Sequence, residues 1–248
     1  TGASQGLLKI SGFIDIAPEP IIAARAYYEG VMGVGDSFDF HFDGVELPGY
    51  GWLFPLGEGR ANIGLGYMPD GKAVAARNIK KMLAEFVSRP AFAPLLATAR
   101  QTTAFKSYPI RTDFATARTY RQRTIVVGEA AGLVNPLTGE GIDYALESGK
   151  IAARHASQWL ADDDFSTPRL AAYDQALRDK YQLLFDYCTR IVGCCVKPFT
   201  LNLMIMAAAH SSQVRESLTD IILGNRTPST APTAWNMTRK ALRALVNR

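Results

Sequence analysis

Residues Thr124 to Ile142 have the types and spacing best suited to chemistry in this 248-residue sequence. The β-branched run Ile125 to Val127 predicts a short buried parallel strand that ends at Gly128. The carboxylate of Glu129 follows this strand and could accept hydrogen bonds from ribose or ribityl hydroxyls. Small residues after Glu129 would let the backbone approach a ligand closely.

The second half of the same segment predicts a loop that leads into a helix. Asn135-Pro136 interrupts regular structure, and Gly139-Glu140-Gly141 precedes a helix beginning near Ile142. Free N–H groups at the start of a helix suit a pyrophosphate or the electron-rich edge of an isoalloxazine ring. The alternative is an ordinary strand, turn and helix, in which the glycines only separate the elements.

Two motifs carry a resemblance to a known family. Gly128-Glu129-Ala130-Ala131-Gly132, followed by Asn135-Pro136 and Thr138-Gly139-Glu140-Gly141-Ile142, resembles the second flavin-binding motif of the geranylgeranyl reductase family. Upstream, Pro48-Gly49-Tyr50-Gly51-Trp52-Leu53-Phe54-Pro55 resembles the aromatic strand motif of that family. The family belongs to the FAD enzymes with the p-hydroxybenzoate hydroxylase fold. The resemblance implies FAD as the cofactor, held by Gly128, Glu129, Ala130, Pro136, Gly139, Gly141 and Ile142.

The resemblance also implies a reaction. In the family, reduced FAD hydrogenates isolated double bonds of a geranylgeranyl or similar polyprenyl lipid, with electrons from a nicotinamide or ferredoxin donor. An unactivated alkene also needs a proton, and Tyr50 is the best catalytic candidate by residue type. A buried tyrosine bonded to a backbone carbonyl is the other interpretation of Tyr50. Together with Tyr50, the residues implied to bind substrate are Trp52, Phe54 and Pro55, although strand aromatics also occur in ordinary cores.

Two other functions remain open. The first is a flavin monooxygenase or halogenase of the same fold. Halogenases have a related Trp-x-Trp-x-Ile-Pro strand, whereas this chain has Tyr50-Gly51-Trp52-Leu53-Phe54-Pro55, which favours a reductase. The second is a non-catalytic lipid-binding module. It is considered because the Gly-x-Gly-x-x-Gly segment, with which flavoproteins of this fold begin, is absent from the sequence.

The missing segment shapes the expected organisation. We expect this chain to be the C-terminal portion of a longer protein. We also expect FAD binding by these residues alone to be weak or absent. The predicted fold is α+β or α/β, with an incomplete FAD-binding domain, an antiparallel substrate domain and a C-terminal helical region. The predicted parts are the tail of the FAD domain (1–12), the substrate domain (13–118), the second flavin motif with its helix (119–160) and the helical region (161–248).

Periodicity supports this division. Phe38, Phe40 and Phe42 alternate with polar residues and predict a half-buried strand, followed by strands at 50–54, 60–67 and 106–110 in an antiparallel layer. Apolar residues from Ile79 to Val87 repeat at helical spacing, and Pro90 closes that helix. A small-residue face from Ile142 to Ala156 predicts a helix packed on the sheet. The rest is predicted to be helical, with breaks at Pro198, at 210–212 and at 224–228.

Composition and charge exclude several classes of function. At 48% hydrophobic and 20% charged residues, the chain suits a soluble globular protein, which we expect to be cytoplasmic. Residues 225–248 contain five of the Lys and Arg side chains and no acid, and 233–248 could form an amphipathic helix on an anionic membrane. A terminal helix docked on the core is the alternative. We expect no nucleic-acid partner and no metal site, and we interpret Cys188, Cys194 and Cys195 as core thiols.

Overall fold

The computed structural model of the protein describes residues 2, 4–69, 78–223 and 239. The chain forms two compact units, one of residues 19–110 and the other of residues 1–18 and 111–248. The first unit lies within the predicted substrate domain of 13–118. The predicted C-terminal helical region belongs to the same unit as the residues of the flavin motif.

The unit of residues 19–110 is built on an antiparallel sheet with the order β2-β3-β4-β1-β5, in which β6 also pairs with β1. Its strands are β1 (Ile21–Glu29), β2 (Asp39–His41), β3 (Gly49–Pro55), β4 (Ala61–Tyr67), β5 (Arg100–Gln101) and β6 (Lys106–Ile110). The predicted antiparallel layer is therefore confirmed. Periodicity did not reveal β1, because its alanines weaken the β propensity of the segment.

Helix α2 (Ile79–Val87) covers one face of this sheet, and the short helix α3 (Ala93–Leu96) follows it. The Asn78 side chain caps α2 by accepting hydrogen bonds from the amides of Lys80 and Lys81. Leu83 and Phe86 of α2 belong to the same buried cluster as Ile63 and Leu65 of the sheet. The helix predicted from the spacing of apolar residues is confirmed.

The strand predicted around Phe38, Phe40 and Phe42 is shorter than expected, and its apolar face is the exposed one. Phe38 is 64% exposed and Phe40 is 50% exposed. The position that faces the core is instead occupied by His41, whose ring lies 4.9 Å from that of Phe92. Alternation alone identifies two faces of a strand but does not say which one is buried.

The other unit is mainly helical. Its elements in the described ranges are α1 (Gln5–Ile10), β7 (Tyr120–Arg121), β8 (Thr124–Ile125), a 3-10 helix (Gly128–Ala131), α4 (Ile142–Asp162), α5 (Thr167–Cys195), α6 (Pro198–His210) and α7 (Ser212–Ile222). The core contains Phe114, Trp159, Tyr173, Leu177 and Phe185. The predicted breaks at Pro198 and at 210–212 are confirmed, and the break at 224–228 lies outside the described residues.

The prediction of a buried parallel strand at Ile125 to Val127 is wrong. Thr124–Ile125 pairs antiparallel with Tyr120–Arg121, and Val127 is 39% exposed. A β-branched run indicates extended backbone but does not specify its partner. Within the described residues of this unit, no parallel strand lies beside it.

The buried face of α4 also differs from the prediction. Ile142 is 78% exposed and Leu146 is 65% exposed, although both belong to the predicted small-residue face. The helix buries Ala152 of the predicted face, together with Tyr144, Ser148 and Trp159, which the prediction did not include. These residues belong to the face that packs on α5 and on the 3-10 turn Gly128–Ala131.

The described residues contain neither a single helix able to cross a membrane nor a cluster of metal-binding side chains. None of the individual helices there has the length and hydropathy to cross a bilayer; α5 and α6, bent by 110° at their junction, pass that test only as a pair. The same ranges contain no group of three or more His, Cys, Asp or Glu side chains placed to bind a metal ion.

Candidate functional site

The backbone of residues 128–142, the predicted flavin motif, is shaped by its glycines. Gly128 and Gly132 have φ angles of +55° and +75°, which favour glycine. Between them the 3-10 turn closes through the Gly132 amide, which donates to the Glu129 carbonyl over 2.9 Å. A Cβ atom on Gly132 would lie 2.6 Å from the Phe114 nitrogen, so the turn requires glycine for space as well as for conformation.

A buried arginine that the sequence analysis did not identify holds this turn. Arg111 is 2% exposed. Its Nε and Nη2 atoms donate to the two carboxylate oxygens of Asp113 over 2.6 and 3.0 Å, and Nη1 donates to the Ala130 carbonyl over 2.6 Å. Arg111 and Asp113 are two residues apart, a spacing that places side chains on one side of extended backbone. That spacing was the available signal.

Glu129 lies beside Arg111 and is only partly buried. The Arg111 backbone amide donates to Glu129 Oε1 over 3.2 Å. A carboxylate can accept several hydrogen bonds, so this contact orients Glu129 and leaves acceptor capacity for a ligand hydroxyl. The contact of Glu129 with a ribityl or ribose hydroxyl stays a prediction.

Two helices support the start of the motif from behind. The Gly128 amide donates to Ser148 Oγ on α4 over 3.0 Å. The Tyr173 hydroxyl on α5 donates to the Val126 carbonyl over 2.8 Å. Burial raises the pKa of Tyr173, and the charge of Asp174 raises it further, so this hydroxyl remains a donor. The start of the motif is therefore hydrogen-bonded to both α4 and α5.

Asn135 organises the loop between the turn and α4. It is 1% exposed, and its Oδ1 atom accepts a hydrogen bond from the Leu137 amide over 2.9 Å. Its backbone amide donates to the Glu140 carbonyl over 2.7 Å, and its carbonyl accepts from the Gly139 amide over 2.8 Å. The side chain also donates to the Tyr144 hydroxyl over 3.4 Å. The loop that contains Pro136 is therefore closed on itself.

The start of α4 is open to a ligand acceptor. Gly141 is the N-cap, and no side chain in the described ranges caps this helix end. A Cβ atom on Gly141 would lie 2.7 Å from Val134 Cγ2, so a larger residue would displace the loop. Burial raises the pKa of the Glu140 carboxyl, and the negative charge of Asp143 raises it further.

The substrate-binding residues implied by the sequence lie in the unit of residues 19–110. Five rings form an aromatic face on one side of β2 and β3, comprising Phe38, Phe40, Tyr50, Trp52 and Phe54. The Trp52 and Phe54 rings are stacked with centroids 5.9 Å apart, and the Tyr50 and Phe40 rings meet edge to face at 5.4 Å. Strand alternation places Pro55 on the opposite side, with Leu53.

Trp52 is held in position by two features of β4. Its Nε1 atom donates to Asn62 Oδ1 over 3.1 Å. Its indole ring covers Gly64, where any Cβ atom would overlap the ring. The indole therefore lies flat across the sheet, which suits contact with an apolar chain.

The other polar candidates have local partners or none. His41 lies against Phe86 and Phe92, and its buried Nε2 has no hydrogen-bond partner among the described residues. His155 packs against Trp159 and Tyr173, and His210 Nδ1 lies 2.8 Å from the Met206 carbonyl. Cys188 and Cys195 are buried free thiols.

Comparison with curated proteins identifies lipid and quinone reductases. Digeranylgeranylglycerophospholipid reductase 1 of Methanopyrus kandleri is 32% identical over 223 residues, which are 88% of this chain and 57% of the relative. Menaquinone reductase of Mycobacterium tuberculosis is 36% identical over 118 residues, which are 45% of this chain and 27% of the relative. The chain thus spans little more than half the length of the Methanopyrus relative. No family model matches the sequence.

Comparison with solved structures supports the fold. A geranylgeranyl bacteriochlorophyll reductase-like protein of Thermoplasma acidophilum has a TM-score of 0.61 at 22% identity, covering 85% of this chain and 57% of its own. The flavin-dependent brominase Bmp2 has a TM-score of 0.62 at 15% identity, covering 92% of this chain and 56% of its own. At these identities the likeness concerns the fold alone.

Proposed function

This chain belongs to the geranylgeranyl reductase family, and from that membership we propose that it is part of an FAD-dependent reductase that saturates double bonds of a polyprenyl lipid. The observation that carries the proposal is the ordered loop from Gly128 to Gly141, in which Arg111, Asn135 and Ser148 hold the backbone of the implied flavin motif. The electrons would come from a nicotinamide or ferredoxin donor, as the family resemblance implies.

The residues of this loop fit a flavin. Gly132 and Gly141 leave space that a side chain would fill, Glu129 keeps acceptor capacity, and α4 presents an uncapped N-terminus. The acids Glu140 and Asp143 at this end disfavour a doubly charged phosphate. They favour a neutral acceptor such as a carbonyl at the edge of an isoalloxazine ring. Reduced flavin supplies hydride in such enzymes.

The aromatic face is our proposed surface for the prenyl chain. Tyr50 and Trp52 are neighbours on one face of β3, with ring centroids 5.9 Å apart. An alkene lying on the Trp52 ring would therefore be close to the Tyr50 phenol. We propose that the Tyr50 hydroxyl delivers the proton that an unactivated alkene requires. Tyr50→Phe should then lower turnover while leaving lipid affinity nearly unchanged, because the ring remains.

A second candidate function is oxygenation or halogenation by the same fold, which the structural likeness to the brominase supports. The sequence relatives argue against it, since they are named as reductases at 32% to 36% identity. A lipid-binding module without catalysis is the third candidate. Prenyl-lipid binding without flavin binding or turnover by the natural polypeptide would favour that third function.

We also propose peripheral contact with a membrane. Residues 233–248, predicted to form the amphipathic segment, lie outside the described residues except for Arg239, which is helical. In support, α6 carries Phe199 and Met206, 74% and 53% exposed, on a helix without Lys, Arg, Asp or Glu. Sedimentation with anionic vesicles tests this contact, and equal binding to neutral vesicles would contradict a role for the basic tail.

The decisive experiment is a visible absorption spectrum with added FAD. We would record it for this chain and for the full natural polypeptide that contains these residues. A bound-flavin band near ~450 nm that bleaches when the donor reduces the flavin, and that returns under anaerobic conditions only when a prenyl lipid is added to accept the two electrons, supports the reductase. Absence of the band from both samples would contradict flavin-dependent catalysis.

A further inference from the structure

We propose that Arg25 and Lys106 form a binding site for the phosphate of an anionic prenyl lipid, on the sheet face that carries the aromatic face. The inference rests on the proposed function for the choice of a prenyl lipid, and it goes further by naming the head group. It arises from strand register, side-chain exposure and charge within the unit of residues 19–110.

The register aligns five residues in one row across the sheet. Phe40 of β2 lies opposite Trp52 of β3, and Trp52 lies opposite Gly64 of β4. Gly64 then lies opposite Arg25 of β1, and Arg25 lies opposite Lys106 of β6. Directly paired residues share a face, so all five lie on the side away from α2. The row is aromatic at one end and cationic at the other.

The neighbouring row offers a floor for an apolar chain. Tyr50 lies opposite Gly66, Gly66 opposite Ala23, and Ala23 opposite Tyr108. A Cβ atom built on Gly66 would have Ala23 Cβ, at 3.4 Å, as its nearest side-chain neighbour. No large side chain therefore covers the sheet between Tyr50 and Tyr108 in this row. Tyr108 is 63% exposed at its far edge. A linear chain can therefore lie between two tyrosines beside the row of five.

Among the residues that the structure describes, no acid is paired with the two cations at the end of the row. Like charges directly opposite each other on antiparallel strands repel, since their Cβ atoms are about 5 Å apart. Within the described ranges, neither Arg25 nor Lys106 forms an ion pair. Glu29, which shares their face of β1, is instead paired with Arg100 over 2.9 Å. A bound anion would relieve this repulsion.

Arg25 is already ordered for such a ligand. Its guanidinium carbon lies 4.5 Å from the centroid of the Tyr27 ring on the same face. A planar guanidinium held over a ring can offer paired N–H donors to a phosphate, and the lysine adds a mobile charge. Arg25 is half-buried and Lys106 is exposed, so the site is open to a head group.

The distance across the sheet also relates the phosphate of the lipid to the position of its prenyl chain. Trp52 and Lys106 are separated by three strand spacings, or about 14 Å. A prenyl lipid with its phosphate on Arg25 and Lys106 would direct its first units over Gly66 and Ala23 toward the aromatic face. A menaquinone has no such anion. The site therefore selects a phosphorylated prenyl lipid, either a prenyl phosphate or a prenylated glycerophospholipid.

Equilibrium binding tests this assignment without flavin or turnover. The probes are geranylgeranyl phosphate, geranylgeraniol and inorganic phosphate, each titrated in non-ionic micelles with tryptophan fluorescence and calorimetry as readouts. We expect the phosphorylated lipid to bind about tenfold or more tightly than the alcohol, as expected for a charge-assisted hydrogen bond. A prenylated glycerophospholipid as a fourth probe separates the two lipid sources.

The variants isolate the two cations. Arg25→Gln/Lys106→Gln should bind the phosphate and the alcohol equally, whereas the charge-preserving exchange Arg25→Lys/Lys106→Arg should retain discrimination. Lys9→Gln/Lys80→Gln removes the same charge from exposed positions elsewhere and should behave as wild type.

Three results would overturn the inference. They are equal wild-type affinity for phosphate and alcohol, loss of discrimination in the Lys9 and Lys80 control, and inorganic phosphate binding as tightly as the lipid. No cofactor takes part in this binding experiment. A protein that binds the phosphorylated lipid more tightly than the alcohol but never reduces a lipid would therefore refute only the proposed function.

Discussion

The Arg111 backbone amide donates a hydrogen bond to Glu129 Oε1 over 3.2 Å, although the two residues are 18 positions apart. The Arg111 side chain simultaneously binds the Ala130 carbonyl and the Asp113 carboxylate. Arg111 therefore orients the Glu129 carboxylate, which is implied to bind the flavin, through its backbone amide. Its side chain holds the adjacent turn. The geometry of the motif depends on residues outside it.

Arg111→Met should destabilise the protein by about 3 to 5 kcal/mol, because it leaves the Asp113 carboxylate and the Ala130 carbonyl without their buried partner. Urea unfolding measures the change. The matched control is Arg100→Met, which breaks the exposed pair with Glu29 and should cost about 1 kcal/mol or less. Equal effects of the two substitutions would contradict a structural role for the buried arginine.

Gly132→Ala should cost at least about 1 to 3 kcal/mol, since φ is +75° and the new Cβ would meet the Phe114 nitrogen. Gly149→Ala is the control, because nothing lies within 4 Å of its Cβ position and the residue is inside α4. That substitution should instead stabilise the protein by about 0.5 to 1 kcal/mol. Thermal unfolding should show a lower midpoint temperature for Gly132→Ala and a higher one for Gly149→Ala.

Glu129→Ala should weaken FAD binding by the full natural polypeptide about tenfold or more, because a charged acceptor of ligand hydroxyls is lost. The same substitution at the exposed Glu58 should leave the flavin dissociation constant unchanged. Fluorescence titration with FAD gives both values. Unchanged flavin retention in Glu129→Ala would remove the proposed contact.

The stability of the protein should fall at alkaline pH through Cys188. Burial raises the pKa of this thiol above its usual range, to about 11. The native state therefore holds its proton more tightly than the unfolded state. The resulting stabilisation is complete below pH 9 and is lost as the pH rises to 11.

The expected contribution of Cys188 is at most about 3 kcal/mol, since each unit by which folding raises a pKa corresponds to about 1.4 kcal/mol. Urea unfolding at pH 8, 9, 10 and 11 measures it. In Cys188→Ala the loss of stability over this range should be smaller than in wild type. Parallel curves for the two proteins would show that the thiol titrates alike in the native and unfolded states.

Local chemistry was sufficient to predict several features. The apolar spacing from Ile79 to Val87 and the following Pro90 defined α2, because an amphipathic helix depends on residues three and four apart. The glycines of the flavin motif were identified from their positions, and Gly128 and Gly132 do adopt positive φ angles. The antiparallel layer followed from short alternating strands separated by turns.

The sequence by itself determined the helix α2, the antiparallel class of the sheet and the motifs that place the chain in its family, because each depends on residues close together in the chain. Only the tertiary structure decided which face of each element is buried. Phe40 is exposed and His41 faces the core, while α4 turns Tyr144 inward and Ile142 outward. Arg111 meets Ala130, and Arg25 lines up with Trp52 and Lys106, only once distant segments pack in a single register, which no local pattern specifies.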